Sequence, residues 1–93
     1  MSIQSAQPVI EVFSRPGCHL CEVLLDELQP LVRGVLEVAV RNIDGRDDWR
    51  TAYGELIPVV VFEGREVCRY RLDQDAIIRL VADCRATDSV LLR

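Results

Sequence analysis

The chain has 93 residues and no lysine; all eleven of its basic residues are arginine. Schiff-base chemistry and a phosphate-loop lysine are thereby excluded. Histidine occurs once, as His19, which leaves no histidine pair for a metal and no choice of base for a Ser–His–Asp set. No apolar run approaches the roughly 20 residues of a membrane span, so no membrane role is expected. Gly-rich phosphate loops, internal repeats, low-complexity tracts and linkers are also missing. The segment Met1 to Pro8 is polar and lacks the basic and apolar regions of a secretory signal; a cytoplasmic location is the expectation. The net charge is -4. An acidic domain binds phosphate backbones poorly, so no nucleic-acid partner is expected.

What is present suits one small globular domain over residues 1–93, with flexible ends at 1–7 and 87–93. Hydrophobic residues make up 49%, enough for a core without disulfide staples. Pro8 to Phe13 is a nearly continuous apolar run, the pattern of a strand covered on both faces. Ser14-Arg15-Pro16-Gly17 is turn chemistry. A helix follows from about Cys18 to Val32, with Leu20, Val23, Leu24, Leu28 and Leu31 as its apolar stripe. Pro30 is expected to break or kink its last turn, and Gly34 to stop it.

Val35 to Val40 is a second strand, aliphatic and β-branched. Asp47 or Asp48 can cap a short helix carrying Trp49, Ala52 and Tyr53, closed by Gly54. Ile57 to Phe62 is a third strand, Glu63-Gly64 a hairpin signal, and Glu66 to Tyr70 a fourth strand. Asp73 caps a last helix with Ile77, Leu80, Val81 and Cys84 on its apolar face. Ala86 to Arg93 is a tail whose Val90, Leu91 and Leu92 either dock or fray. The order βαβαββα predicts an α/β fold, a four-stranded mixed sheet flanked by helices.

Cys18 and Cys21 carry the chemistry. They stand at i and i+3 where the first strand gives way to a helix, with Cβ atoms roughly 5–6 Å apart, close to disulfide range. Unpaired N–H groups at a helix start favour a thiolate by about 0.3–1 kcal/mol and up to about 2. Arg15 and a protonated His19 add to that field. Cys21 sits one turn deeper beside Glu22. The asymmetry makes Cys18 the attacking sulfur and Cys21 the resolving one. Cys-x-x-Cys is also half of many zinc motifs, but only Cys68 and Cys84 remain to complete one, and both read as core packing. Asp44, Asp47 and Asp48 lack the length and final Glu of a calcium loop and read as turn and cap. Trp49 and Tyr53 read as packing residues.

Arg15-Pro16-Gly17-Cys18-His19-Leu20-Cys21-Glu22 after a strand resembles the active-site segment of glutaredoxin-like proteins of the thioredoxin superfamily. Asn42-Ile43-Asp44, Trp49, Tyr53-Gly54 and Ile57-Pro58-Val59 follow in that family's order, and the likeness spans residues 8 to 84. It implies a thioredoxin-like fold and a cis Pro58 lying against the cysteine pair. Ile57 would then offer its N–H and C=O to an extended substrate. His19-Leu20 differs from the Pro-Tyr of glutaredoxins and the Gly-Pro of thioredoxins. The glutaredoxin Gly-Gly before the last helix is replaced by Arg69-Tyr70-Arg71-Leu72-Asp73. There Arg69, Arg71 and Asp73 read first as strand edge and helix cap, and second as groups for the charged ends of a tripeptide.

The expected activity is thiol–disulfide exchange on protein or glutathione mixed disulfides. Catalysis falls to Cys18 and Cys21, substrate contact to Arg15, His19, Ile57, Pro58 and Asp73. No metal and no tightly bound cofactor are expected, glutathione is a candidate reductant or cosubstrate, and the chain is expected to act as a monomer. The alternatives are a module of this fold coordinating a metal or iron–sulfur cluster through Cys18, and a non-catalytic interaction domain.

Overall fold

Strand β1 (Val9–Ser14) is the strand against which the rest of the sheet assembles in this computed structural model, which describes residues 7–91. It lies inside a four-stranded sheet of order β2-β1-β3-β4, where β2 is Glu37–Asn42, β3 Val59–Phe62 and β4 Arg65–Arg69. β1 runs parallel to β2, with Val9 opposite Glu37 and Ser14 opposite Asn42. It is antiparallel to β3, with Phe13 opposite Val59. β3 and β4 form an antiparallel hairpin. Its turn, Glu63-Gly64, has φ of 51° and 81°, the doubly positive geometry that suits a two-residue hairpin loop.

Alternation along β1 and β3 divides the core in two. Ile10, Val12, Val60 and Phe62 face α1 (His19–Val32) and α3 (Gln74–Leu91), and pack with Leu24, Leu28, Val32, Ile77 and Val81. Phe13, Val59 and Val61 face the other way, against Ile43 and the short α2 (Asp47–Tyr53). Phe13 stacks on Tyr53 at 4.3 Å and meets Trp49 edge-on at 5.4 Å, which gives both aromatics the packing role expected of them. The fold is therefore α/β, with helices on both faces and the order βαβαββα once a single 3-10 turn at Ile43–Gly45 is set aside.

Several boundaries differ from the sequence reading. Pro30 does not break α1, which continues to Val32; the missing N–H falls near the helix end, and the stop comes at Arg33 and Gly34, the latter at φ 82°. β2 starts two residues later than expected because the N–H groups of Val35 and Leu36 both donate to the Val32 carbonyl. Asp47 and Asp48 do not cap α2: Arg46 holds that position without a side-chain bond, and Asp48 accepts from Arg46 instead. Asp73 does cap α3, accepting from the Ala76 N–H at 3.0 Å. Backbone of α3 is helical through Leu91, where a tail was expected. Residues 1–6 and 92–93, most of the first expected loose end and the last of the second, lie outside the described residues.

The apolar stripe of α1 is also rotated. Its buried residues are Cys21, Leu24, Leu28 and Val32, whereas Leu20 and Val23 are 47% and 39% exposed. Leu28→Ala is expected to cost about 2–5 kcal/mol. Leu20→Ala should stay within about 0.5 kcal/mol of the parent. Urea unfolding of the two variants checks the rotation, and equal losses would contradict it.

Candidate active site

The sequence Arg15-Pro16-Gly17-Cys18 makes a tight turn at the end of β1. Cys18 N–H donates to the Arg15 carbonyl at 3.2 Å, Pro16 fills the second position and Gly17 the third, at φ 83°. This is the arrangement of a type II turn, which requires a positive φ at its third residue. The turn sets Cys18 in an extended conformation (φ -86°, ψ 107°) as the N-cap of α1. Its Sγ accepts from the Cys21 N–H at 3.2 Å, where a serine or aspartate oxygen usually caps a helix.

Cys18 and Cys21 are joined as a disulfide, with Cα atoms 5.2 Å apart. Cys18 is half-buried, but Cys21 is only 2% exposed and belongs to the core-facing stripe of α1. Cys18 is therefore the more exposed of the two residues, a difference in burial beside the difference in N–H partners and charge expected from the helix start.

The other expected site residues are placed unevenly. The Ile57–Pro58 peptide is cis, and Pro58 is fully buried. It leads into Val59, the partner of Phe13 at the end of β1, so the loop before β3 and the cysteine turn emerge at the same end of the sheet. The Ile57 side chain is half-buried against the α2-side cluster. His19 is the first residue of α1 and is exposed. Asp73 is exposed and engaged in its capping bond.

Arg15 is turned away from the role of a lone cation beside Cys18. Its guanidinium pairs with Asp44, Nη2 to Oδ1 at 3.1 Å and Nε to both oxygens at 3.2 and 3.3 Å. The pair is exposed and worth about 0–1 kcal/mol, but it gives Arg15 a partner of opposite sign. Arg69 is likewise held by Glu66, at 2.7 and 2.9 Å. That pairing raises the Arg69 pKa and lowers that of Glu66. The remaining acidic cluster is matched in the same way, Asp47 by Arg50 and Asp48 by Arg46. No group of three or more His, Cys, Asp or Glu among the described residues stands ready for a metal ion.

Sequence reasoning missed Tyr70. Tyr70 was expected to close the fourth strand, but β4 ends at Arg69. Tyr70 takes φ 67°, donates its N–H to the Pro58 carbonyl at 2.8 Å and exposes 44% of its surface. Cys68 and Leu72 pack on the α1–α3 core cluster, and so does Cys84. Burial pushes the Cys68 thiol pKa up.

A family model described as "Glutaredoxin-like domain (DUF836)" matches residues 9–82. The chain belongs to that family. Similar proteins include uncharacterized proteins of Mycobacterium tuberculosis (Rv0508) and Mycobacterium bovis (Mb0520), each 29% identical over 84 residues, covering 84% of this chain and 84% of the relative. Among solved structures, a structural-genomics target protein from X. campestris aligns with a TM-score of 0.63 at 24% identity, over 80% of this chain and 96% of that one. A mutant thioredoxin from Halobacterium salinarum aligns with a TM-score of 0.58 at 24% identity, over 87% and 78%. These likenesses identify the fold as thioredoxin-like, and the glutaredoxin-like domain carries its cysteine pair at Cys18 and Cys21.

Two measurements bear on this geometry. Gly17→Ala places a side chain at φ 83° and should cost about 1–2 kcal/mol although nothing lies within 4 Å of the added carbon; a loss below the error of urea unfolding would remove the turn assignment. In the reduced protein at neutral pH, iodoacetamide should label Cys18 well before Cys68, and Cys68 labelling should speed up as pH rises, because a raised pKa leaves little thiolate at neutrality. Peptide mass mapping reads both, and equal initial rates would contradict the ordering.

Proposed function

We propose that this glutaredoxin-like protein is a thiol–disulfide oxidoreductase that reduces protein or glutathione mixed disulfides. The observation that carries the reading is the Cys18–Cys21 bond at the N-terminus of α1, with Cys18 accessible and Cys21 screened. In the reduced form the Cys21 N–H that already points at Cys18 Sγ stabilises a thiolate there. The helix dipole acts in the same direction and favours the thiolate. Arg15 contributes less to this than its sequence position suggests, since Asp44 opposes its charge.

The Cys18 thiolate attacks one sulfur of the substrate disulfide, and a new Cys18–substrate S–S bond forms. The old S–S bond breaks, and its electron pair leaves with the first substrate thiolate, which takes a proton from water. Cys21, deprotonated in turn, attacks Cys18 Sγ and releases the second substrate thiolate. The protein is left with the Cys18–Cys21 disulfide, having supplied two electrons. Two equivalents of an external thiol, such as glutathione, return it to the dithiol. Both sulfurs lie on one chain, so the cycle runs in a monomer. The thiol pool of the cytoplasm suits the resetting step.

Ile57, half-buried just before the buried Pro58, offers the backbone with which an extended substrate pairs, while Pro58 supports it from beneath. His19 contacts the substrate at the exposed start of α1. Cys18→Ser should abolish turnover of a disulfide substrate. Cys21→Ser should accumulate a stable Cys18–substrate mixed disulfide, visible by mass spectrometry. Retained turnover in Cys18→Ser would remove the nucleophile assignment.

A further inference from the structure

Leu20 stands between the two cysteines in sequence, yet it is exposed, as is Val23 one turn along. These two apolar side chains and Leu24 form one wall of an open groove of about 510 Å³. The opposite wall is the link from β4 to α3, with Tyr70 and Leu72. Neither cysteine lines the groove, but Leu20 lies between them in sequence and Tyr70 is tied to Pro58 by its backbone N–H, so the groove borders the cysteine site. Its charged lining is one-sided: Glu27, Asp73 and Asp75 face a single Arg71. The Asp73 carboxylate also occupies the first turn of α3, where an incoming carboxylate would otherwise find N–H donors.

Glutathione carries two carboxylates and one ammonium group. The cations that the sequence offered for it are Arg15 and Arg69, each already paired, and Arg71, outnumbered three to one in the groove. We infer that this groove selects an extended protein segment whose disulfide cysteine is flanked by apolar and basic residues, in preference to glutathione. The apolar side chains would cover Leu20, Val23 and Tyr70, and an arginine or lysine would meet Glu27 and Asp75. The inference rests on the oxidoreductase reading and names its substrate class.

The test uses the reduced 93-residue chain and short peptides whose one cysteine is a mixed disulfide with 2-mercaptoethanol. One peptide has Leu and Arg beside the cysteine; its counterpart has Leu and Glu. Exchange forms the Cys18–peptide bond and releases mercaptoethanol, or the reverse, before Cys21 resolves the product. Second-order rate constants come from acid quenching and mass analysis. The basic peptide should react about 5- to 10-fold faster than the acidic one or than oxidised glutathione at low ionic strength, and the ratio should fall with added salt. Glu27→Gln with Asp75→Asn should shrink the ratio. Glu37→Gln, a charge change at the start of β2 at the other end of the sheet, should not.

Equal rates for the two peptides, faster reaction with glutathione, or a ratio unmoved by the groove double variant would overturn the inference while leaving exchange intact. A concentration-dependent dimer broken by Leu20→Ser would show that a second copy covers the groove, and would also overturn it. Failure to exchange with the neutral 2-hydroxyethyl disulfide would instead remove the oxidoreductase reading, and the inference with it.

Discussion

A backbone N–H aimed at a sulfur is the contact on which the site depends. The Cys21 amide donates to Cys18 Sγ because Cys18 stands as an N-cap, and it stands there because the turn before it reverses the chain within three residues of β1. Moving the helix start by one residue would point that amide at a different side chain. Gly17 is thus as much a part of the site as the sulfurs, through its positive φ rather than through any contact. The site in turn leans on the sheet. β1 is paired on both sides, so its end is fixed by β2 and by β3, and β3 brings the Pro58 loop to the same end.

Much of this was readable from local pattern. A continuous apolar run marked β1, aliphatic runs marked β2 and β3, and a Glu-Gly pair marked the hairpin, because each depends on residues close in sequence. The cysteine pair was readable for the same reason: the i, i+3 spacing at a strand–helix junction fixes its geometry locally. Ends of elements were less legible. The shift of β2 comes from a carbonyl of α1, Val32, that captures two amides beyond Gly34; an apolar run cannot reveal that. The caps split the same way. Asp73 caps α3 as its position suggests, but Asp48 turns to Arg46, which competes for its carboxylate.

Long-range charge pairing was not legible. Arg15 and Asp44 are 29 residues apart, and only the parallel pairing of β1 with β2 brings the residues after both strands together. The sequence presents Arg15 as a free cation beside a thiol, and the fold presents it as half of an ion pair. The helical stripe failed for a related reason. Leu20 and Val23 fit a 3.6-residue pattern as well as their neighbours do. A buried cysteine was not counted as an apolar position, although thiols pack as small hydrophobes. Counting Cys21 rotates the stripe to Cys21, Leu24, Leu28 and Val32 and leaves Leu20 and Val23 outside it.

That rotation links the core to the surface beside the cysteine pair. One residue of α1, Cys21, does two jobs: it fills the core and holds the second sulfur. With Cys21 turned inward, Leu20 lies about 100° around the helix and is exposed. An apolar side chain is then displayed on the turn of α1 that carries the two cysteines. Tyr70 answers it across the groove because a positive φ and the bond to Pro58 hold it out of the strand alternation. The carboxylates along the rim add sign to a surface whose shape follows from burying one sulfur and exposing the other.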